Sequence, residues 1–151
     1  MNFQILCVGK IKEDFYRKQI EILCTDLKKR GHVVNITEFP DERIPERMPE
    51  TKKESFLKKE CGKMSEKILS KDYVIVLCIE GKEFTTRQHR DYIDQAVDSG
   101  FENITYVIGG SLGLPESIKR RSNLKMSFSK MTFPHQLIRV VLLEEITRAM
   151  Q

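Results

Sequence analysis

The stretch "YVIVLCI", residues 73–79, sets seven apolar side chains in a row without a single charge. A strand with one wet face alternates apolar and polar residues, so an unbroken run reads as a strand covered on both faces, as in a parallel sheet between helices. "FQILCVG" (3–9) and "NITYVIGG" (103–110) have the same character, and "HVVNITEF" (32–39) reads as a further strand. Helical spacing falls between these strands. Tyr16, Ile20, Leu23 and Leu27 follow one another at steps of 4, 3 and 4, and Leu57, Cys61, Met64 and Ile68 repeat the pattern. Thr85 or Thr86 can cap a third helix through "RQHRDYIDQAV" (87–97), and Gly100 ends it. "PDERIPERMPE" (40–50) is a proline-broken loop, Pro115 opens a short helix, "LKMSFS" (124–129) is a last brief strand, and "HQLIRVVLLEEITRAM" (135–150) is a terminal helix. The alternation predicts an α/β fold: a mainly parallel sheet with helices on both faces and its ligands at the carboxyl ends of the strands.

Length and composition narrow the function. The 151 residues, 40% of them hydrophobic, suit one domain over 1–151. No apolar run approaches the roughly 20 residues of a membrane-spanning helix, and "MNFQILCVGKIKEDF" lacks the basic leader of a secretory signal. Cys7, Cys24, Cys61 and Cys78 are scattered without a C-x-x-C pair, which points to reduced thiols in a cytoplasmic protein and to no metal site. The net charge of +4 is unevenly spread: residues 1–110 hold 19 basic and 19 acidic side chains, while 111–151 hold 7 basic and 3 acidic ones. The cluster "KRRSNLK" (119–125) is therefore a candidate for contacts with nucleic-acid phosphates, against the alternative of a solvated helix face.

"VIGGSLGLPES" (107–117) puts Gly109, Gly110 and Gly113 at the carboxyl end of a central strand. Glycine there permits positive φ and a close approach of backbone to a ligand. A triphosphate loop would need Gly-Lys-Ser/Thr, but Leu114, Pro115 and Glu116 follow Gly113. A dinucleotide fingerprint belongs in the first strand–helix unit with an acidic residue about 20 positions on. This motif comes late, and no Asp or Glu lies between Glu116 and Glu144.

The second constellation is "SFSKMTFPHQLIR" (127–139), with small hydroxyls, two phenylalanines, Lys130, His135 and Arg139 around a proline. "VIGGSLGLP" and "SNLKMSFSKMTFPHQLIRVVLLEEITRA", together with "ILCVGKIKE" and "LCIEGKEFTT", closely resemble the RlmH family of 23S ribosomal RNA pseudouridine-N3 methyltransferases in the knotted SPOUT superfamily. The resemblance covers essentially the whole chain. It implies a carboxyl-terminal trefoil knot, which no pattern argument would suggest because true knots are rare. It implies S-adenosylmethionine as cofactor, held by Leu77, Gly109, Phe128, Ser129, Lys130, Met131, Thr132 and Phe133. A ligand with a nucleoside and a methionine tail but no phosphate suits an apolar slot edged by backbone groups. It also implies a homodimer that methylates a pseudouridine in the helix 69 loop of 23S rRNA within the 70S ribosome. A non-catalytic ribosome-binding protein, or a knotted methyltransferase for another RNA, is the alternative.

Methyl transfer requires the imide N3 to lose its proton, so a base or a cation is needed. His135 and Arg139, one helical turn apart, are the candidates, with a capping or packing role as the alternative for His135. His32 and His89 read as surface residues. The terminal helix is apolar nearly all round through Leu137, Ile138, Val140, Val141, Leu142 and Leu143, as expected if one side packs on the sheet and another on a second copy. Family members usually continue past "RA" with a short basic tail ending near Tyr-His-Lys, whereas this sequence stops at Met150-Gln151. A chain of this length is expected to fold, dimerise and bind the cofactor, and to methylate more slowly than one carrying the tail.

Overall fold

The computed structural model describes residues 1–151. In chain order the elements are β1 (Asn2–Val8), α1 (Asp14–Lys29), β2 (Val33–Phe39), α2 (Glu50–Glu66), β3 (Asp72–Lys82), α3 (Thr86–Asp98), β4 (Asn103–Ile108), α4 (Glu116–Arg121), β5 (Leu124–Met126) and α5 (His135–Ala149). The five strands form one sheet in the order β2-β1-β4-β3-β5, and every pairing is parallel. The expected α/β architecture is therefore present, with the short β5 at one edge.

The period of two in a strand divides the apolar runs between two cores. Phe3, Ile5 and Cys7 of β1, Ile75 of β3 and Ile104, Tyr106 and Ile108 of β4 meet Leu23, Leu27, Ile93, Leu142 and Ile146 from α1, α3 and α5. The intervening Leu6, Val8, Val74, Val76 and Val107 meet Cys61, Met64 and Ile118 from α2 and α4. Helices thus cover both faces, which is why these strands have no polar alternation to display.

Element ends follow local chemistry. Thr85 caps α3 by accepting from the Gln88 amide at 3.1 Å, and the Gln88 side chain accepts from the Thr85 amide at 2.8 Å, a reciprocal capping box. Gly100 ends that helix with φ +93°. β3 and β5 run in register from Ile75↔Leu124 to Leu77↔Met126, then shift so that Lys82 also pairs with Met126. Residues 78–81 are consequently an excursion from the β3–β5 ladder that returns to it at Lys82. Gly81 marks the return, because a Cβ there would lie 2.7 Å from the Met126 carbonyl carbon.

Three features differ from the sequence-based reading. His89 is fully buried rather than on the surface: Nδ1 lies 3.2 Å from Glu145 Oε1 and Nε2 lies 2.6 Å from the Tyr106 hydroxyl. Since a carboxylate only accepts, Nδ1 carries the proton and Nε2 accepts from the tyrosine. His32 precedes its strand and is half-buried. The "KRRSNLK" cluster is not one open basic face: Lys119 pairs with Glu80 at 2.5 Å, and Arg121 donates to the Leu69 and Asp72 carbonyls at 2.9 and 3.1 Å. Of its basic residues only Arg120 and Lys125 are exposed.

The buried histidine predicts a pH dependence of stability. Burial lowers the His89 pKa, and the hydrogen bond and charge of Glu145 offset this only in part. The unfolded chain therefore takes up the proton first as pH falls below about 6.5, and the stability contributed by neutral His89 is lost from there down to its folded pKa. Urea unfolding from pH 8 to 5 should show a destabilisation of up to about 1.4 kcal/mol per pH unit from this group. His32, also shifted down by burial, adds in the same direction. A His89→Leu variant isolates the effect by flattening the slope, and an unchanged slope would refute it.

Candidate active site

A cavity of about 650 Å³ opens at the carboxyl ends of β3, β4 and β5. Three segments build it: the 78–81 excursion, the glycine-rich turn after β4, and the irregular run from β5 to α5. Of the residues expected to hold the cofactor, Leu77, Gly109, Phe128, Ser129, Met131, Thr132 and Phe133 all lie in its wall. Lys130 does not; it is exposed. The reason is local. The Ser129 hydroxyl accepts from the Met131 amide at 3.0 Å, a serine turn that leaves Lys130 at its apex and brings Phe128 and Met131 to the wall.

The three glycines line the cavity, and Gly109 and Gly110 also make room for the protein's own atoms. A Cβ on Gly109 would lie 2.6 Å from the carbonyl carbon of Gly113 and closer still to its oxygen. Gly110 and Gly113 pair with each other, the Gly113 amide donating to the Gly110 carbonyl at 3.1 Å, and Gly113 alone of the three has positive φ, at +88°. Gly109 thus makes room for the loop's own backbone, and its own backbone stays in the cavity wall. Beneath the loop, a Cβ on Gly110 would lie 2.9 Å from Oε1 of the buried Glu60. Gly109→Ala should therefore force the turn open, lowering stability by about 1–3 kcal/mol and weakening any ligand of this wall. Thermal unfolding paired with titration calorimetry tests this; a variant of unchanged Tm with weakened binding would show that the missing Cβ leaves room for the ligand instead.

His135 and Arg139 part company. His135 is exposed in the cavity wall, with Nε2 3.5 Å from the Ser111 hydroxyl of the glycine turn. Arg139 has 1% of its surface exposed and forms no part of the wall. Its guanidinium donates to Glu38 at 2.7 Å and to the carbonyls of Val8 and Gly9 at 2.9 and 2.7 Å. The Gln136 side chain accepts from the amides of Lys12 and Glu13 at 2.9 and 3.3 Å. The first turn of α5 is thereby fastened to the turn after β1, and this holds the His135 backbone in place.

Sequence reasoning missed Lys53 and Glu80 and gave Lys119 to a surface cluster, whereas all three lie in the cavity wall. Glu80 and Lys119 neutralise one another, while the half-buried Lys53 of α2 has no ion-pair or hydrogen-bond partner. Nothing in the sequence places Lys53 beside residues more than fifty positions away. Cys78 also faces the cavity, but burial and the Glu80 charge push its thiol pKa up, which disfavours the thiolate. Burial likewise pushes Cys7 to about 11 and Cys61 to about 12. No group of three or more His, Cys, Asp or Glu side chains could hold a metal ion, and no helix is long and apolar enough to cross a membrane.

Comparison with known proteins agrees with this architecture. A family model described as "Predicted SPOUT methyltransferase" matches residues 1–151. The chain is 40% identical to the ribosomal RNA large subunit methyltransferase H of Leuconostoc mesenteroides and 40% identical to that of Streptococcus suis, with 99% of this chain and 93% of each relative covered. It is 41% identical to ribosomal RNA large subunit methyltransferase H 1 of Thermoanaerobacter pseudethanolicus, with 97% of this chain and 94% of the relative covered.

Proposed function

The chain belongs to the SPOUT methyltransferase family, and from that membership we propose that it transfers a methyl group from S-adenosylmethionine to N3 of a pseudouridine in the helix 69 loop of 23S rRNA in the assembled 70S ribosome. Family membership implies the carboxyl-terminal trefoil knot as well. The observation that carries the reading is one cavity that joins a cluster of apolar side chains and the glycine turn to a histidine on a fastened helix end. Relatives named as ribosomal RNA large subunit methyltransferases supply the substrate class.

The wall suits the cofactor chemically. Leu77, Phe128, Met131 and Phe133 offer apolar surface for a nucleoside, and backbone groups of Gly109, Ser129 and Thr132 offer its polar edges partners. Lys53 is an unneutralised cation for the carboxylate of the methionine tail. When bound, the cofactor supplies an electrophilic methyl on a sulfonium. The protein positions the imide nitrogen and removes its proton: His135 accepts it at Nδ1, while Nε2–H donates to the Ser111 hydroxyl, 3.5 Å away, and so orients the ring.

The working form is a cytoplasmic homodimer. Supporting this, Phe15 and Ile22 on one face of α1 are each 61% exposed, and Leu137 and Val141 of the adjoining α5 are only half-buried.

The test is to incubate the protein with 70S ribosomes and S-adenosylmethionine labelled in its methyl group, then digest the rRNA and map the label. Label on N3 of a helix 69 pseudouridine is the expected result. Label on another RNA would move the substrate, and no transfer despite cofactor and ribosome binding would favour a non-catalytic role.

A further inference from the structure

A second concavity, of about 360 Å³, lies outside the cavity described above, between the 45–49 segment and α2. Arg47, Lys52 and Lys59 line it together with Ser55, Phe56 and Pro45, and no acidic residue does. Lys52, Ser55, Phe56 and Lys59 recur at helical spacing and so share one face of α2. None of the three cations has an ion-pair partner.

This charge is invisible in a tally, because α2 carries glutamates among its lysines. The fold separates them. Glu54 turns to the Glu116 amide, accepting at 2.6 Å, and Glu60 is buried, accepting from the Glu42 amide at 3.0 Å. Those two carboxylates are consumed; Glu46, Glu50 and Glu66 stay exposed but do not line the groove, so its cations have no acidic neighbour in the wall. Lys53, next to Lys52, lines the main cavity, so the cationic surface runs from the groove to the cavity.

We infer that the Arg47–Lys52–Lys59 groove is a docking track for the sugar–phosphate backbone of the RNA on one side of the target nucleotide. The inference rests on the rRNA reading above and adds where the RNA is gripped. Three unpaired cations in a concave, acid-free surface complement a polyanion, and release of counterions there supplies salt-dependent affinity without sequence preference. The Lys119–Lys125 cluster serves less well, since Lys119 and Arg121 are already engaged within the protein.

The experiment compares the full chain with an R47Q/K52Q/K59Q variant and an R120Q/K125Q variant, measuring 70S ribosome affinity over a range of KCl concentrations and S-adenosylmethionine affinity by calorimetry. The triple variant should keep wild-type cofactor affinity, which also reports an intact fold. It should lose about tenfold or more in ribosome affinity near 0.1 M salt, with a salt slope shallower by roughly 2–3. An R47K/K52R/K59R variant, which keeps the charges, should retain binding. Wild-type affinity and slope in the triple variant, or the loss appearing in R120Q/K125Q instead, overturns the groove assignment alone. Absence of ribosome binding by the wild-type chain overturns the RNA reading and the groove with it.

Discussion

Replacing Arg139 with methionine is expected to cost the folded state about 3 kcal/mol, the low end of the roughly 3–5 kcal/mol lost when one partner of a buried pair is removed. The low end applies because Glu38, the partner, keeps 25% of its side chain exposed and water can recover part of its hydration. The variant would leave the Val8 and Gly9 carbonyls without their donor and Glu38 with only the Ile11 amide, which it accepts at 2.8 Å. Thermal unfolding should show Tm lower by roughly 6–12 °C. Arg139→Lys keeps the charge but not the forked geometry that spans both carbonyls and the carboxylate, so it should recover only part of the loss. Were Arg139→Met to keep its Tm and lose only turnover, the arginine would have to act on the reactants.

The second large effect falls on His135. Its substitution by alanine should slow methylation of ribosomes by about 100-fold or more, the lower bound for removing a general base. Tm and cofactor affinity should stay close to wild type, because the ring is exposed and its one polar contact is the long one to Ser111. Single-turnover rates at saturating cofactor separate this from a binding defect. A variant that turns over at the wild-type rate would remove His135 from the chemistry, and positioning of the base beside the methyl donor would then have to suffice.

The contrast between these two residues shows how far a linear motif can be read. His135 and Arg139 stand four positions apart at one helix start, and spacing gave them equal claim to the same cavity. Partners from β1 and β2, more than a hundred positions earlier, take the arginine out of solvent. His89 was misread for the same reason: its neighbours Arg87, Arg90 and Asp91 are polar, while Tyr106 and Glu145, which bury and bond it, lie far along the chain. Gly109 was identified as a necessary glycine, but what its missing Cβ makes room for could be seen only once Gly113 was folded back upon it.

What the sequence determined by itself is what short-range physics determines. Unbroken apolar runs specified strands buried on both faces, 3.6-residue spacing specified their covering helices, and Thr85 with Gln88 and Gly100 bounded one of them. Four stretches, from residues 5–13, 77–86, 107–115 and 122–149, sufficed to indicate the family. The tertiary structure alone decided which charges remain free. Glu54 and Glu60 of α2 accept from backbone amides of distant segments, while Lys53 in the cavity and Arg47, Lys52 and Lys59 in the groove have no ion-pair partner. Composition counts charges one by one, whereas the field a ligand meets depends on which of them the fold has already neutralised.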